Sequence, residues 1–127
     1  MAAFLPVRCR GYLEARGIAF EEIEDRGQKG LILRQMVLPA GKYSVQQADV
    51  LMLIPPGYPD VAPDMFYTLP WLQLAPNNGF PRCADVPQDF AGQRWQRWSR
   101  HSDQWRPGRD GIWTMIKRFE HAVEIAA

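Results

Sequence analysis

The sequence predicts an α+β domain in which an N-terminal helix, a four-stranded antiparallel meander and C-terminal helices follow one another. Apolar residues recur at helical spacing near the start, four strand-like runs with brief links fill the middle, and a strongly amphipathic segment lies near the end. Strands joined by short links usually pair as antiparallel neighbours, and helices then cover one face. Because 127 residues suffice for one hydrophobic core but not two, we expect a single domain over residues 1–127.

The first predicted element is a short helix within residues 5–16. Its apolar stripe consists of four residues at helical spacing: Leu5, Cys9, Tyr12 and Leu13. Pro6 suits a first helical turn, and Gly17 suits the exit. Because Cys9 shares the apolar stripe, we expect it to be buried as a small apolar side chain.

The middle of the chain contains four runs that are typical of strands. These runs are residues 18–24, 31–38, 48–54 and 65–69. The glycine-containing segment 26–30 indicates a hairpin turn between the first two, and segment 39–42 indicates another turn before the third. The pattern therefore predicts an antiparallel meander.

The clearest helical signal lies near the end of the chain. One apolar stripe is formed by Ile112, Met115, Ile116, Phe119, Ala122 and Val123. Asp110 stands just before this stripe and is the predicted N-cap. We expect the stripe to pack against the sheet.

Segment 93–101 is rich in tryptophan and arginine and predicts a further helix. A helix would place Trp95 and Trp98 on one side, where tryptophan needs burial or a partner. Arg94, Arg97 and Arg100 would recur every third residue. The same residues are an alternative surface for stacking and phosphate contact with single-stranded nucleic acid, although the net charge of +1 argues against it.

Composition excludes several classes of protein. With 46% hydrophobic and 23% charged residues and no apolar run near the roughly 20 that a membrane span needs, the sequence is that of a soluble globular domain. The N-terminus lacks a signal-peptide pattern, so we expect a cytoplasmic protein with reduced thiols. Two cysteines without metal-ligand spacing to His101 or His121 predict neither a disulfide framework nor a metal site.

A proline-rich turn organises the centre of the sequence. The apolar run 50–54 stops at Pro55 and Pro56, which offer no N–H to a sheet, and Pro59 and Pro63 restrict the backbone further. We predict a cis peptide bond between Tyr58 and Pro59, since an aromatic residue before proline favours cis in a tight turn.

Cys83 follows the turn-rich segment 75–82 and is the candidate reactive residue. Segments of this composition lie at the surface, so its thiol should be accessible. A cysteine nucleophile acts as a thiolate, which needs partial exposure and nearby positive charge or hydrogen-bond donors. Arg82, Arg100 and His101 are candidates for such neighbours.

These features together resemble the ubiquitin-conjugating enzymes. The sequence Pro-Pro-Gly-Tyr-Pro at residues 55–59 and Pro63 resemble their active-site turn, and Cys83 lies 25 residues after Tyr58, where those enzymes commonly place the thioester-forming cysteine. Trp105 and Pro107 resemble the Trp-x-Pro that precedes the helix behind the site. More narrowly, the chain resembles the short bacterial members of this superfamily.

The resemblance implies a ubiquitin-conjugating fold and a transferase. Cys83 would accept a ubiquitin-like protein from an activating enzyme as a thioester and pass it to an amine acceptor. The resemblance also implies that Tyr58, Pro59 and Pro63 form the turn that shapes the site around Cys83. The family's oxyanion-stabilising asparagine is matched best by Asn77 and next by Asn78. Apart from the resemblance, His101 is a candidate substitute as donor or acid/base group, because the pKa of histidine is readily tuned. Arg8, Arg10 and Arg16 on the first helix are the implied docking residues for the activating enzyme.

The gene neighbourhood of such bacterial proteins adds further expectations. Their genes typically sit beside an isopeptidase, which is an additional expected partner, and the same neighbourhood points to antiviral defence. Neither a metal nor an organic cofactor is expected, because the activating enzyme would consume the ATP. Membrane and nucleic-acid partners are not expected.

Two departures from the family pattern keep an alternative open. The His-Pro-Asn start of the site loop is replaced by Ala75, Pro76 and Asn77, and Trp105 lies 22 residues after Cys83, farther than in the common form. A catalytically inactive binding module of the same fold is therefore the alternative function.

Overall fold

The computed structural model describes residues 3–101 and 104–127, which form an α+β arrangement of six strands and two helices. In chain order the elements are α1 (Val7–Ala15), β1 (Phe20–Asp25), β2 (Gln28–Val37), β3 (Gln47–Ile54), β4 (Phe66–Leu69), β5 (Val86–Phe90), β6 (Gln93–Trp98) and α2 (Ile112–Ile125). The predicted α+β class is thus confirmed, but the sheet has six strands instead of four. One C-terminal helix, α2, follows the sheet within the described residues, where several were predicted.

All six strands belong to one antiparallel sheet with the order β1-β2-β3-β4-β6-β5. The first four strands pair in sequence order, which confirms the predicted meander. The β1–β2 turn consists of Arg26 and Gly27, both at positive φ (51° and 79°), as a two-residue hairpin turn requires. The fifth and sixth strands extend the sheet beyond β4.

Segment 93–98 is a strand, so the predicted helix there is wrong. Arg97 pairs with Tyr67 on one side and Val86 on the other. Neighbouring strand residues point to opposite faces, and accordingly Trp95 and Trp98 are fully buried in two separate clusters on the two faces. The two buried indoles cannot form the base-stacking surface that a nucleic-acid binder would use.

Both helices contribute to one face of the sheet. The whole predicted stripe of α2 is buried, and Cys9 and Leu13 of α1 join the same cluster, so the buried state of Cys9 is confirmed. Helix α1 begins after Pro6 and ends before Gly17, which adopts a φ of +67°. Among the described residues neither helix combines the length and hydropathy needed to cross a lipid bilayer.

The N-terminus of α2 differs by one position from the prediction, because Gly111 rather than Asp110 is the N-cap. The buried Asp110 carboxylate instead accepts hydrogen bonds from the backbone N–H of Arg106 (2.7 Å) and the hydroxyl of Thr114 (3.1 Å). The hydrogen bond from the Arg106 N–H lowers the pKa of Asp110. Asp110 therefore fixes the loop that leads into α2.

The other face of the sheet is concave, because the β5–β6 hairpin curls back over β2. Phe90 packs on Gly30 so closely that an added Cβ at Gly30 would lie 2.5 Å from the Phe90 ring. The backbone N–H of Ala91 donates a hydrogen bond to the Asp25 carboxylate at 3.0 Å. These contacts join two hairpins that stand at opposite ends of the strand order and bury a second cluster.

Candidate functional site

Cys83 is exposed at a turn just before β5, as the sequence predicts. It adopts a positive φ of 57°, which is uncommon for a residue with a Cβ. Its carbonyl oxygen accepts a hydrogen bond from the backbone N–H of Ser99 (3.0 Å), and the N–H of Ala84 binds the carbonyl of Pro81 (3.1 Å). The turn is therefore tied to the end of β6 next to the cysteine itself.

Gln96 anchors the loops around Cys83 from below. Its fully buried side-chain amide donates to the carbonyls of Ala84 (2.7 Å) and Leu72 (3.0 Å), and its Oε1 accepts from the N–H of Leu72 (2.7 Å) and the hydroxyl of Thr68 (2.7 Å). Buried polar groups that are fully paired hold one conformation. Gln96 thus fixes the backbone of the residue that follows Cys83.

Sequence reasoning missed Gln96. Its partners lie 12 to 28 residues away in sequence, and the spacing of the neighbouring tryptophans and arginines predicted a helix there. The available signal was a glutamine between two tryptophans at strand alternation, with Trp98 on the same face. Indeed, the Trp98 indole N–H donates to the Thr68 hydroxyl at 2.9 Å and completes the network.

The proline turn has the predicted geometry, and Trp105 holds it. The Tyr58–Pro59 bond is cis, which confirms the prediction, and Leu69–Pro70 is a second cis bond. The Trp105 indole N–H donates to the carbonyl of Pro59 at 2.8 Å, and its ring lies 6.3 Å from that of Tyr58. Pro63 is buried, and Pro107 is exposed.

The hydroxyl of Tyr58 meets the buried thiol of Cys9. Their O and S atoms are 3.0 Å apart, and Tyr58 packs against the helix side of the core. Burial, followed by the hydrogen bond with Cys9, raises the pKa of Tyr58 well above its ordinary value. Tyr58 is therefore a neutral packing and hydrogen-bonding residue of the turn.

His101 forms a hydrogen bond with a residue of the segment that follows the proline turn. Its Nδ1 lies 2.8 Å from Oδ1 of Asp64, which directly follows Pro63. Both side chains are largely exposed, at 62% and 66%. The hydrogen bond of His101 is thus made with Asp64 and not with Cys83.

Asn77 shapes the loop before Cys83. Its Oδ1 accepts the N–H of Gly79 at 3.0 Å, and Asn78 beside it adopts a positive φ of 55°. The loop is tied to segment 42–44 through hydrogen bonds such as that from the N–H of Ala75 to the carbonyl of Lys42. The side-chain oxygen of Asn77 is therefore used within its own turn.

Arg100 brings positive charge to the cysteine turn. Its Nη1 donates to the carbonyl of Arg82 at 3.1 Å, and its guanidinium carbon lies 5.1 Å from the ring centroid of Trp98. A guanidinium over the face of an indole is attracted to the ring electrostatically. The structure thus places Arg82 and Arg100 beside Cys83, whereas Asn77 and His101 are engaged in other contacts.

The three arginines predicted for partner docking differ in their contacts. Arg10 is held by Glu22 (Nε to Oε2, 3.2 Å) and by the carbonyl of Leu5. Arg8 is exposed, with its guanidinium 5.2 Å from the Trp113 ring, and Arg16 is exposed with Tyr12 as its partner at 2.6 Å. Arg8 and Arg16 therefore present charge at the surface, and Arg10 belongs to the fold.

One groove formed by the described residues lies away from Cys83. It has a volume of about 890 Å³ and runs between the β1–β2 turn, the proline turn and the start of β4. Within residues 3–101 and 104–127 no three His, Cys, Asp or Glu side chains cluster as ligands of a metal ion would.

Comparison with known proteins gave one match. Searches of curated proteins and of solved structures returned no match to this chain. A family model described as prokaryotic E2 family E matches residues 5–126. The predicted resemblance is thereby confirmed, and the chain belongs to this E2-like family, with a role related to ubiquitin conjugation.

Proposed function

We propose that this chain is a transferase that carries a ubiquitin-like protein as a thioester on Cys83. The observation that supports the proposal best is the exposed position of Cys83 on a turn held by Ser99 and Gln96. An acyl carrier needs a thiol that two successive partners can reach and a backbone that positions it. Cys9 is buried and does not meet this requirement.

The loading step exchanges one thioester for another. The Cys83 thiolate attacks the carbonyl carbon that joins the C-terminus of the ubiquitin-like protein to a cysteine of the activating enzyme. A new C–S bond forms to Cys83, the old C–S bond breaks, and the cysteine of the activating enzyme leaves as a thiolate that takes up a proton. The bonds exchanged are of the same kind, so positioning matters more than a strong base.

The second step transfers the acyl group to an amine. The amine nitrogen attacks the Cys83 thioester, an amide bond forms, Cys83 leaves as a thiolate, and the proton lost from nitrogen passes to solvent or a nearby base. The tetrahedral intermediate carries negative charge on oxygen. The N–H₂ group of Asn77 is the proposed donor to this oxygen, and His101 is the proposed acid or base group.

The partners follow from the two steps. A ubiquitin-like protein and its activating enzyme are required, and Arg8 and Arg16 are the exposed candidates for docking the latter. An isopeptidase that reverses the conjugation is a further proposed partner, and antiviral defence is the proposed setting. The transfer itself uses no cofactor, because the activating enzyme spends the ATP.

A non-catalytic binding module is the second candidate. The observation that favours it is the use of the Asn77 oxygen within its own turn, together with the loss of the His-Pro-Asn sequence. In that case β1 to β4 with the two helices would supply a ubiquitin-conjugating-type scaffold, and Cys83 would be dispensable.

A charging assay tests the proposal. The chain is mixed with the cognate ubiquitin-like protein, its activating enzyme and ATP, and the products are separated on a non-reducing gel. We expect an adduct that reductant removes, that the Cys83→Ala variant lacks, and that the matched Cys9→Ala variant retains. Cys83→Ser should give an ester that resists reductant.

The opposite result decides for the second candidate. The acyl-carrier proposal is overturned if the wild-type chain forms no adduct but still binds the ubiquitin-like protein, and if the Cys83→Ala variant binds it equally well. For the helper Asn77, the Asn77→Ala variant should slow discharge to free lysine more than it slows loading, because Asn77 is proposed as the donor to the oxyanion of the amine step, whereas loading exchanges one thioester for another.

A further inference from the structure

The segment that follows β6, residues 99–101, lies between two parts of the chain that the sheet brings together. In the strand order β6 has β4 on one side and β5 on the other. Both pairings are antiparallel, so the start of β4 and the start of β5 lie beside the end of β6. Asp64 stands two residues before β4, and Cys83 stands three residues before β5. Segment 99–101 therefore has Asp64 on one side and Cys83 on the other.

Hydrogen bonds run from this segment in both directions. The N–H of Ser99 donates to the carbonyl oxygen of Cys83 at 3.0 Å. On the opposite side Nδ1 of His101 lies 2.8 Å from Oδ1 of Asp64. His101 follows Ser99 by two residues, which span at most about 7 Å. The backbone of the segment thus holds the imidazole beside the Cys83 turn, and Asp64 orients it.

The contact with Asp64 determines which nitrogen of His101 is free to take up a proton. An ionised carboxylate only accepts hydrogen bonds, so Nδ1 carries the hydrogen of this contact. In the neutral imidazole the lone pair is then on Nε2. The general base of a Ser-His-Asp triad is oriented by a carboxylate at Nδ1 in the same way. Nε2 is therefore the nitrogen of His101 that is suited to act as a base.

We propose that Asp64 is a positioning residue for acyl transfer, which holds His101 in the tautomer whose Nε2 takes the proton from the attacking amine. This role rests on the acyl-carrier function proposed for Cys83. As the amine nitrogen bonds to the carbonyl carbon, Nε2 takes a proton from that nitrogen, the C–S bond breaks, and Cys83 leaves as a thiolate. The carboxylate of Asp64 stabilises the imidazolium that forms, which then releases its proton to solvent.

The other charged groups near Asp64 leave its contact with His101 in place. Burial raises the pKa of Tyr67, the positive charge of Arg97 lowers it, and the negative charge of Asp64 raises it, so both charges act at the Tyr67 hydroxyl. Arg100, next to His101, donates to the carbonyl of Arg82 on the cysteine side. Within the described residues Asp64 nevertheless forms its ion pair with His101, and with neither arginine.

The contact is exposed, which makes its catalytic role separable from its effect on folding. His101 and Asp64 lie at the surface, and an ion pair between such side chains contributes little to stability. Asp64 can therefore be replaced without unfolding the domain. Asp89 is the matched control, because its Oδ1 lies 3.0 Å from Nε of Arg94 in a similarly exposed pair toward the far end of β5.

Discharge of the preloaded chain tests the role of Asp64. The chain is charged with the ubiquitin-like protein, ATP is removed, free lysine is added, and the loss of the thioester is followed on non-reducing gels. We expect His101→Ala to slow discharge about a hundredfold and Asp64→Ala about tenfold, and each to slow discharge more than loading. Asp64→Glu, which keeps a carboxylate, should discharge faster than Asp64→Ala, and Asp89→Ala should match the wild type. The double variant should be no slower than His101→Ala, because Asp64 acts through His101.

Nitrogen NMR of the isotope-labelled, uncharged chain tests the tautomer without any partner. His121 is the other histidine of the sequence, so the His121→Gln background leaves the signals of one imidazole. At a pH where this imidazole is neutral, we expect the Nδ1–H tautomer with Asp64 present and a larger share of the Nε2–H tautomer in Asp64→Ala. Urea denaturation of Asp64→Ala should show the wild-type transition.

The outcomes separate the role of Asp64 from the function of Cys83. A chain that charges normally overturns the role of Asp64 alone if Asp64→Ala discharges at the wild-type rate, if the double variant is slower than His101→Ala, or if the tautomer does not change. A chain that never charges overturns the acyl-carrier function and the role of Asp64 with it.

Discussion

The indole N–H of Trp105 donates a hydrogen bond to the carbonyl oxygen of Pro59 across 46 residues of sequence, at 2.8 Å. This bond joins the two segments by which the chain resembles ubiquitin-conjugating enzymes, the proline turn and the Trp-x-Pro sequence before α2. The Tyr58 ring lies 6.3 Å from the same indole. Trp105 therefore makes the turn and the loop before α2 one unit.

Replacing Trp105 by Phe tests this bond. The ring packing is largely kept, so the loss of one hydrogen bond to a partly buried carbonyl should lower the free energy of unfolding by about 1 kcal/mol. Urea denaturation measures the change. Trp71→Phe is the matched control, because its indole N–H also donates to a carbonyl, that of Arg94, but at an exposed position; a larger effect at Trp71 would contradict the assignment.

Gln96 provides a stronger test of how the site is held. Gln96→Leu would leave the carbonyls of Ala84 and Leu72 and the N–H of Leu72 unpaired in the interior, so we expect a loss of about 3 kcal/mol or more of unfolding free energy. Equilibrium urea denaturation gives the value. Gln93→Leu, exposed at the start of the same strand, should change it by less than about 0.5 kcal/mol. Equal effects at both positions would argue against the network.

The strand that contains Gln96, segment 93–98, shows why the sequence predicts only part of this molecule. The stripe of α2 and the first four strands depend on local periodicity, which the sequence displays directly. In segment 93–98, however, arginines at every third position imitate a helical face, and pairing of Arg97 with Tyr67 and Val86 decides for a strand. Tertiary pairing outweighs local propensity here.

The candidate site divides in the same way. The exposure of Cys83 follows from the turn-forming residues before it, so composition alone predicts it. The contacts of Gln96 and Trp105 depend on which distant segments meet, and no spacing rule gives that. The hydrogen-bond partner of His101 is Asp64, which lies 37 residues away in sequence. This pairing depends on where the chain runs after β6, which local sequence does not reveal.

The two cysteines should differ in reactivity. Cys83 is exposed, whereas Cys9 is 2% exposed and faces the Tyr58 hydroxyl at 3.0 Å. When the native chain is treated with an aromatic disulfide that releases a coloured thiolate, Cys83 should therefore react in a fast phase of the absorbance change. Cys9 should react only on the time scale of unfolding. Cys83→Ala should abolish the fast phase, and Cys9→Ala should preserve it. The reverse assignment would contradict the structure.

Glu22 should make stability depend on pH. Its carboxylate, only 11% exposed, accepts hydrogen bonds from Arg10 and from the N–H groups of Phe4 and Leu5. Burial alone would raise the pKa of Glu22, but the hydrogen bond from Arg10 and those from the backbone outweigh it and lower the pKa below 4.5. A lowered folded-state pKa means that the stabilisation is complete above about pH 4.5 and is lost as pH falls through the folded pKa.

The variant Glu22→Gln isolates this contribution. It keeps an oxygen for the two backbone donors and removes the charge, so it should be less stable than the wild type by about 1 kcal/mol at pH 7. The difference should shrink toward zero below pH 4.5, as measured by urea denaturation from pH 3 to 7. Glu24→Gln on the same strand, which has no ion pair among the described residues, should show no such trend.

Gly30 and Phe90 test the closure of the concave face. An added Cβ at Gly30 would lie 2.5 Å from the Phe90 ring, so Gly30→Ala should cost about 1–3 kcal/mol through overpacking. Phe90→Ala should cost about 3–5 kcal/mol through the cavity it leaves. If the hairpin lies on β2 as described, Gly30→Ala should cost less in the Phe90→Ala background, because the clashing ring is gone. Additive free energies of unfolding in this double-mutant cycle would mean that Phe90 does not pack on Gly30, and the curl of the sheet would have to be held by the Asp25 carboxylate alone.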